Sequence, residues 1–182
     1  YLLGERAPTI DLMAWNADAT RMPYRMHSEY LRRLFLNNDL AEGRFTVAGK
    51  PIALTDIRAP IFAVGTAHDH VAPWQSTYKI NLLTDTDVTY LLTIGGHNAG
   101  IVSEPGHDGR SFQVASKKAA DRYLDPATYL AEAARKEGSW WPEWTAWLAT
   151  HSGAAGAPPP MGAAAAGYGP LCEAPGTYVL QQ

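Results

Sequence analysis

A chain of 182 residues with 46% hydrophobic and 10% aromatic side chains has enough apolar matter for one packed core, which excludes a disordered polymer. A formal net charge of −3 gives no argument for nucleic acid as a partner, and no apolar run approaches the ~20 residues that span a bilayer. The single cysteine, Cys172, excludes an intrachain disulfide and a cysteine-based metal site.

Position 1 is Tyr rather than Met and no signal-peptide pattern follows, so the sequence is expected to begin inside a longer protein. From Pro23 to Asn38, Met26, Tyr30, Leu31, Leu34 and Phe35 recur at helical spacing opposite Arg25, Glu29, Arg32 and Arg33, which predicts an amphipathic helix. Residues 43–54, broken by Gly49 and Pro51, read as loop with at most brief extended pieces. The run Ile61-Phe62-Ala63-Val64, between Pro60 and Gly65, is short, uninterrupted and partly β-branched, as in a strand covered on both faces. Pro73 suits the first turn of a helix reaching about Leu83, and Val88 to Ile94 predicts a second strand that ends at Gly95-Gly96. Helices are predicted over Pro126 to Ala134 and over Ser139 to Leu148, with Pro142 tolerated in the first turn of the latter. Strand, loop, helix, strand, loop is the order of an α/β fold with a mostly parallel sheet.

Between residues 151 and 170, sixteen of twenty positions are Gly, Ala or Pro, side chains too small to offset the entropy of ordering. The expected organisation is a domain over residues 1–150, an irregular linker over 151–170 and a tail over 171–182. In that tail Thr177 to Leu180 is apolar enough to dock as an extended segment.

In open α/β sheets the chemistry gathers in loops at the carboxyl ends of strands. Two such loops occur here: Thr66-Ala67-His68-Asp69-His70 after the first strand, and Gly95-Gly96-His97-Asn98-Ala99-Gly100 after the second. Asp69 precedes His97 with one helix and one strand between them, the order of the last two members of a nucleophile–acid–histidine triad. An acidic partner would hold the imidazole in one tautomer while its other nitrogen takes a proton from a nucleophile or a substrate hydroxyl. Each residue also has a plain reading, the aspartate as a cap for the next helix and the histidine as a solvated turn residue. Spacing alone leaves both readings open.

Residues 69–74 (Asp-His-Val-Ala-Pro-Trp), 95–100 (Gly-Gly-His-Asn-Ala-Gly), 138–144 (Gly-Ser-Trp-Trp-Pro-Glu-Trp) and 12–20 (Leu-Met-Ala-Trp-Asn-Ala-Asp-Ala-Thr) resemble signature segments of the polyhydroxyalkanoate synthases. The resemblance is to the class that polymerises short 3-hydroxyacyl-CoA substrates. Residues 174–179 resemble the family's end, so the likeness covers almost the whole chain. It implies the C-terminal portion of an α/β-hydrolase-like fold with a mostly parallel sheet and a cap-like helical segment over about residues 1–45. It further implies a cysteine nucleophile in a Gly-x-Cys-x-Gly elbow, which His97 activates. Asp69 then orients His97 or helps deprotonate the 3-hydroxyl of the incoming monomer.

The implied substrate is an (R)-3-hydroxyacyl-CoA such as 3-hydroxybutyryl-CoA, the product is a polyester with release of CoA, and no metal or redox cofactor is involved. The implied setting is the cytoplasm at the surface of a polyester granule, with a homodimer among the expected assemblies. Trp15, in the cap-like segment, and Arg110 are candidate substrate contacts, and Lys117, Lys118 and Arg122 are further candidates for the phosphates of CoA. Trp140, Trp144 and Trp147 share a helical face and are expected to pack on the core. His68, His70 and His107 with Asp69 are poorly spaced for a metal.

Neither Gly-x-Cys-x-Gly nor Gly-x-Ser-x-Gly occurs in the 182 residues, and Cys172 lacks the flanking glycines and the strand-to-helix context, so the nucleophile is expected upstream. Two alternatives stand beside this reading. One is an esterase or polyester depolymerase with an upstream serine, and the other is a non-catalytic interaction module.

Overall fold

The sheet that carries the candidate site is built from two apolar strands followed by two more polar ones. The computed structural model describes residues 21–173 and 176–177. Two compact units are distinguished, Tyr1–Trp144 and Thr145–Gln182.

In the first unit, helix α1 (Tyr24–Tyr30) continues as a π-helical turn over Leu31–Leu36, closed by the Asn37 amide on the Arg32 carbonyl. Neither segment buries a residue. A two-stranded hairpin follows, β1 (Thr46–Val47) and β2 (Lys50–Pro51).

Strand β3 (Ile61–Thr66) then pairs in parallel with β4 (Val88–Thr93), from Ile61 opposite Val88 to Thr66 opposite Thr93. The crossover holds two short helices, α2 (Trp74–Thr77) and α3 (Ile80–Leu83), in place of the single predicted one. Strand β5 (Ser111–Lys117) runs antiparallel to β4, helix α4 (Pro126–Glu132) follows, and β6 (Ala134–Glu137) runs antiparallel to β5. The order is β3-β4-β5-β6.

This corrects the predicted mostly parallel sheet. Of the three strand pairs only β3·β4 is parallel, so the four-stranded sheet is mixed and mostly antiparallel. The physical reason lies in the connection from Thr93 to Ser111. It contains no crossover helix, and a parallel partner needs one to return the chain to the same end of the sheet, whereas an antiparallel partner does not.

Side chains alternate across β4. Tyr90 and Leu92 join Trp74, Tyr78, Tyr129 and Ala133 on one face, while Leu91 joins Phe112 and Trp140 on the other. Leu91 is fully buried, and burial of one such side chain contributes roughly 1.5–3 kcal/mol. The Tyr129 hydroxyl contacts the carbonyls of Tyr90 (3.2 Å) and Gln113 (3.0 Å), which ties α4 to both central strands. Asp125 starts α4 by accepting the amides of Ala127 and Thr128, with Pro126 directly after it.

Helix α5 (Trp141–Thr150) follows β6. In the second unit, the Trp147 ring stacks on His151 at 4.1 Å. Residues 153–160 have no regular secondary structure, and Ala164–Ala166 forms one 3-10 turn bracketed by a bridge between Ala163 and Tyr168. Among the described residues no helix is long and apolar enough to cross a membrane. The cap-like segment before residue 21 and the extended segment expected at 178–180 lie outside the described residues.

Candidate functional site

Because β3 and β4 are parallel and in register, the loops after Thr66 and Thr93 leave the same end of the sheet side by side. The Ala67 amide donates to the Thr93 carbonyl (2.9 Å) and the His68 amide to the Gly95 carbonyl (2.9 Å), so the two backbones remain joined beyond the ladder.

The first loop folds around Asp69. Its Oδ1 accepts the amides of Val71 and Ala72, each at 2.8 Å, as aspartates do at tight turns. Its Oδ2 faces the second loop and lies 2.9 Å from Nδ1 of His97, and the Thr66 hydroxyl donates to the same oxygen at 3.2 Å. Asp69 thus does not cap α2, whose N-cap Pro73 has no side-chain partner; one oxygen closes the turn before that helix and the other meets the imidazole.

The Asp69 side chain is 8% exposed and that of His97 47%. Hydrogen bonding, the Ala72 amide foremost and then His97 and the Val71 amide, holds the Asp69 carboxyl well below the usual carboxylate range, while burial pulls the other way. An ionised carboxylate only accepts, so Nδ1 carries the proton and Nε2 has the lone pair. Nε2 has no hydrogen-bond partner among the described residues. This edge of the imidazole can take a proton, while the carboxylate on the other nitrogen fixes the ring's orientation.

The second loop closes tightly. Gly95 has φ of 120°, and a Cβ there would stand 2.8 Å from Gly100 Cα. A Cβ on Gly100 would lie 2.6 Å from Cγ2 of Thr66. Thr66, buried at the end of β3, thus both donates to Asp69 and packs against the histidine loop. Sequence reading missed this residue, although the Thr-x-x-Asp spacing was a usable sign of the turn.

The other candidates separate by position. Arg110 precedes β5 at the Thr93 end of the sheet and places one guanidinium arm 3.3 Å from the Val102 carbonyl. Lys117 pairs with Val88 at the opposite end of β4, and Lys118 is engaged with Asp87 at 2.9 Å, so neither is brought to Asp69 and His97. Arg122 lines a cavity of about 320 Å³ with Lys117 and Tyr78, also at that far end. A second cavity, about 280 Å³, opens beside the first loop between Ala67, His68, Trp74 and Ile94.

His107 pairs with Glu104 at 2.9 Å, and among the described residues no three His, Cys, Asp or Glu side chains converge as a metal site. Of the tryptophans expected to pack as a stripe, Trp140 is in the core and Trp144 is 41% exposed. Cys172 is exposed, and Trp15 lies outside the described residues.

No family model matches the chain. It is 38% identical over 181 residues to poly(3-hydroxyalkanoate) polymerase 2 of Ectopseudomonas oleovorans, covering 99% of this chain and 31% of that protein. It is 37% identical over 182 residues to the poly(3-hydroxyalkanoate) polymerase subunit PhaC of Rhizobium etli, covering 100% of this chain and 28% of the relative. Identity to the subunit of the same name from Cupriavidus necator is 37% over 180 residues, 98% of this chain and 30% of the relative. The chain spans about three tenths of the length of these curated relatives.

Proposed function

The chain belongs to the poly(3-hydroxyalkanoate) polymerase family, and from that premise we propose that it supplies the acid–base half of an acyl-transfer centre, with His97 as the base and Asp69 as its orienting anion. The observation that carries the proposal is the 2.9 Å contact between His97 Nδ1 and Oδ2 of Asp69, whose side chain is 8% exposed, with Nε2 left open.

The nucleophile in this reading is a cysteine outside these 182 residues. His97 Nε2 takes the thiol proton, the thiolate attacks the thioester carbonyl of an (R)-3-hydroxyacyl-CoA, and CoA leaves as its thiolate and takes the proton. The acyl group is then held on the cysteine. In the elongation step the 3-hydroxyl of an acceptor loses its proton to the imidazole, its oxygen attacks the enzyme thioester, and the cysteine sulfur leaves and is reprotonated. The short 3-hydroxybutyryl monomer is the substrate we favour, with the enzyme working at the surface of a polyester granule in the cytoplasm, as a homodimer. Arg110, at the His97 end of the sheet, and Trp15 are the assigned substrate contacts, Trp15 on sequence resemblance alone.

The test is to give the full-length protein a short 3-hydroxyacyl-CoA and to follow covalent acylation separately from polymer growth. His97→Ala is expected to slow both by roughly 10²–10⁴-fold. Asp69→Asn is expected to retain first acylation and lose chain growth, because a thiol near pKa 8.5 needs less help than an alcohol. Unimpaired polymerisation by His97→Ala overturns the proposal. Free 3-hydroxy acid as the main product of the unmutated protein assigns it to ester hydrolysis instead.

A further inference from the structure

The segment that leaves the His97 loop, Gly100-Ile101-Val102-Ser103, has four successive carbonyls that no backbone amide takes among the described residues. Side chains take all four. The Trp140 indole N–H donates to Gly100 O at 3.2 Å and that of Trp141 to Ile101 O at 3.0 Å. Arg110 donates to Val102 O, and the Ser139 hydroxyl donates to Ser103 O in a short contact. Three of the four donors are consecutive residues, 139 to 141, delivered to this end of the sheet because β6 runs back along β5 from Val114 to Ser111.

The placement is anchored from behind. Trp140 packs with Leu91 and Phe112 in the core, and the Ser139 hydroxyl also accepts the Trp141 amide at the start of α5. On the other side, Gly100 is held against Thr66 and Gly95, the two residues that bracket the Asp69 and His97 loops. A shift of the 100–103 segment is therefore transmitted to the imidazole and to the hydroxyl that contacts Asp69.

We propose that Ser139, Trp140 and Trp141 are positioning residues that set the reach of His97, acting through the carbonyls of residues 100, 101 and 103 and touching no substrate. This deepens the function assigned above and rests on it. Core packing of these tryptophans needs only the rings. Positioning needs the indole N–H groups, and phenylalanine separates the two.

In the full-length polymerase, Trp140→Phe combined with Trp141→Phe is expected to lower kcat roughly 10- to 100-fold with KM unchanged, since displacement of a reacting group by about 1 Å costs rates of that order. Trp141→Phe alone, at a half-buried ring, is expected to lower kcat less, and it serves if the double variant unfolds at the assay temperature, as read by circular dichroism. Trp144→Phe makes the same chemical change on the same helix at a ring with no hydrogen bond to the loop, and it is expected to keep the parent kcat and KM. A parent-like kcat in folded Trp141→Phe and in the folded double variant overturns the proposal, as does a loss in Trp144→Phe equal to that in Trp141→Phe. If His97→Ala itself retains full activity, the acid–base assignment fails instead, whatever the tryptophan variants do.

Discussion

At the scale of single residues, Asp69 carries two loads on two oxygens. Oδ1 closes the turn into α2 and Oδ2 holds the imidazole. Its carboxyl titrates below the ordinary value of about 3.9, so folding gains from its ionised form. That contribution is complete above about pH 4 and is lost as pH falls through the folded-state value. Urea unfolding from pH 6 down to pH 2 is expected to show stability falling below about pH 4, with a shallower fall in Asp69→Asn, whose amide does not titrate there. Identical acid limbs in the two proteins would show that the carboxylate is not held as described. The fall is expected to persist in part, because Asp87, Glu104 and Asp125 are also held below their usual ranges by Lys118, by backbone and His107 contacts, and by Thr128, respectively.

At the scale of elements, the His97 loop depends on glycine where it doubles back. Gly95→Ala forces a side chain into the left-handed region and against Gly100, so unfolding stability is expected to fall by about 1–3 kcal/mol, measured by urea titration. Stability unchanged by this substitution would show that the loop relaxes freely.

The same scale shows what could be read in advance. Ile61–Val64 and Val88–Ile94 announce strands because both are dense in apolar, β-branched residues, and the loops after them hold the aspartate and histidine at corresponding places. Strand β5 was hidden because Ser111, Gln113, Ser116 and Lys117 dilute its alternation, leaving only Phe112 and Val114 toward the Leu91 side. Strand β6, Ala-Arg-Lys-Glu, is exposed at every position, so no burial pattern marks it and its first residue reads as the end of a helix. Missing both strands is what made a mostly parallel sheet look right. The donors at 139–141 escaped for a different reason, since their partners are backbone carbonyls, which leave no trace in side-chain chemistry, whereas Thr66 meets the Asp69 carboxylate and could have been read from the Thr-x-x-Asp spacing.

At the scale of the molecule, the 182 residues contain the proposed base and its anion but neither Gly-x-Cys-x-Gly nor Gly-x-Ser-x-Gly. The isolated 182-residue chain is therefore expected to release no CoA from a short 3-hydroxyacyl-CoA, measured by thiol titration, while the full-length protein turns it over. Steady CoA release by the isolated chain, abolished by Cys172→Ala, would move the nucleophile to Cys172. The apolar side of the first helical segment is open among the described residues: Met26 is 59% exposed and Phe35 69%, far from the burial expected of an amphipathic face packed on its own core.

The indole contacts at residues 100 and 101 span 40 positions of sequence, and this separation sets an order of events during synthesis. At about 5–20 residues per second, some 2–9 seconds pass between the emergence of His97 and that of Trp141. In that interval Asp69 and the imidazole are already made, yet the strand that brings the indoles to them is not. Under the positioning role proposed for residues 139–141, the His97 loop of a nascent chain thus gains its last side-chain partners only after Trp141 has left the ribosome.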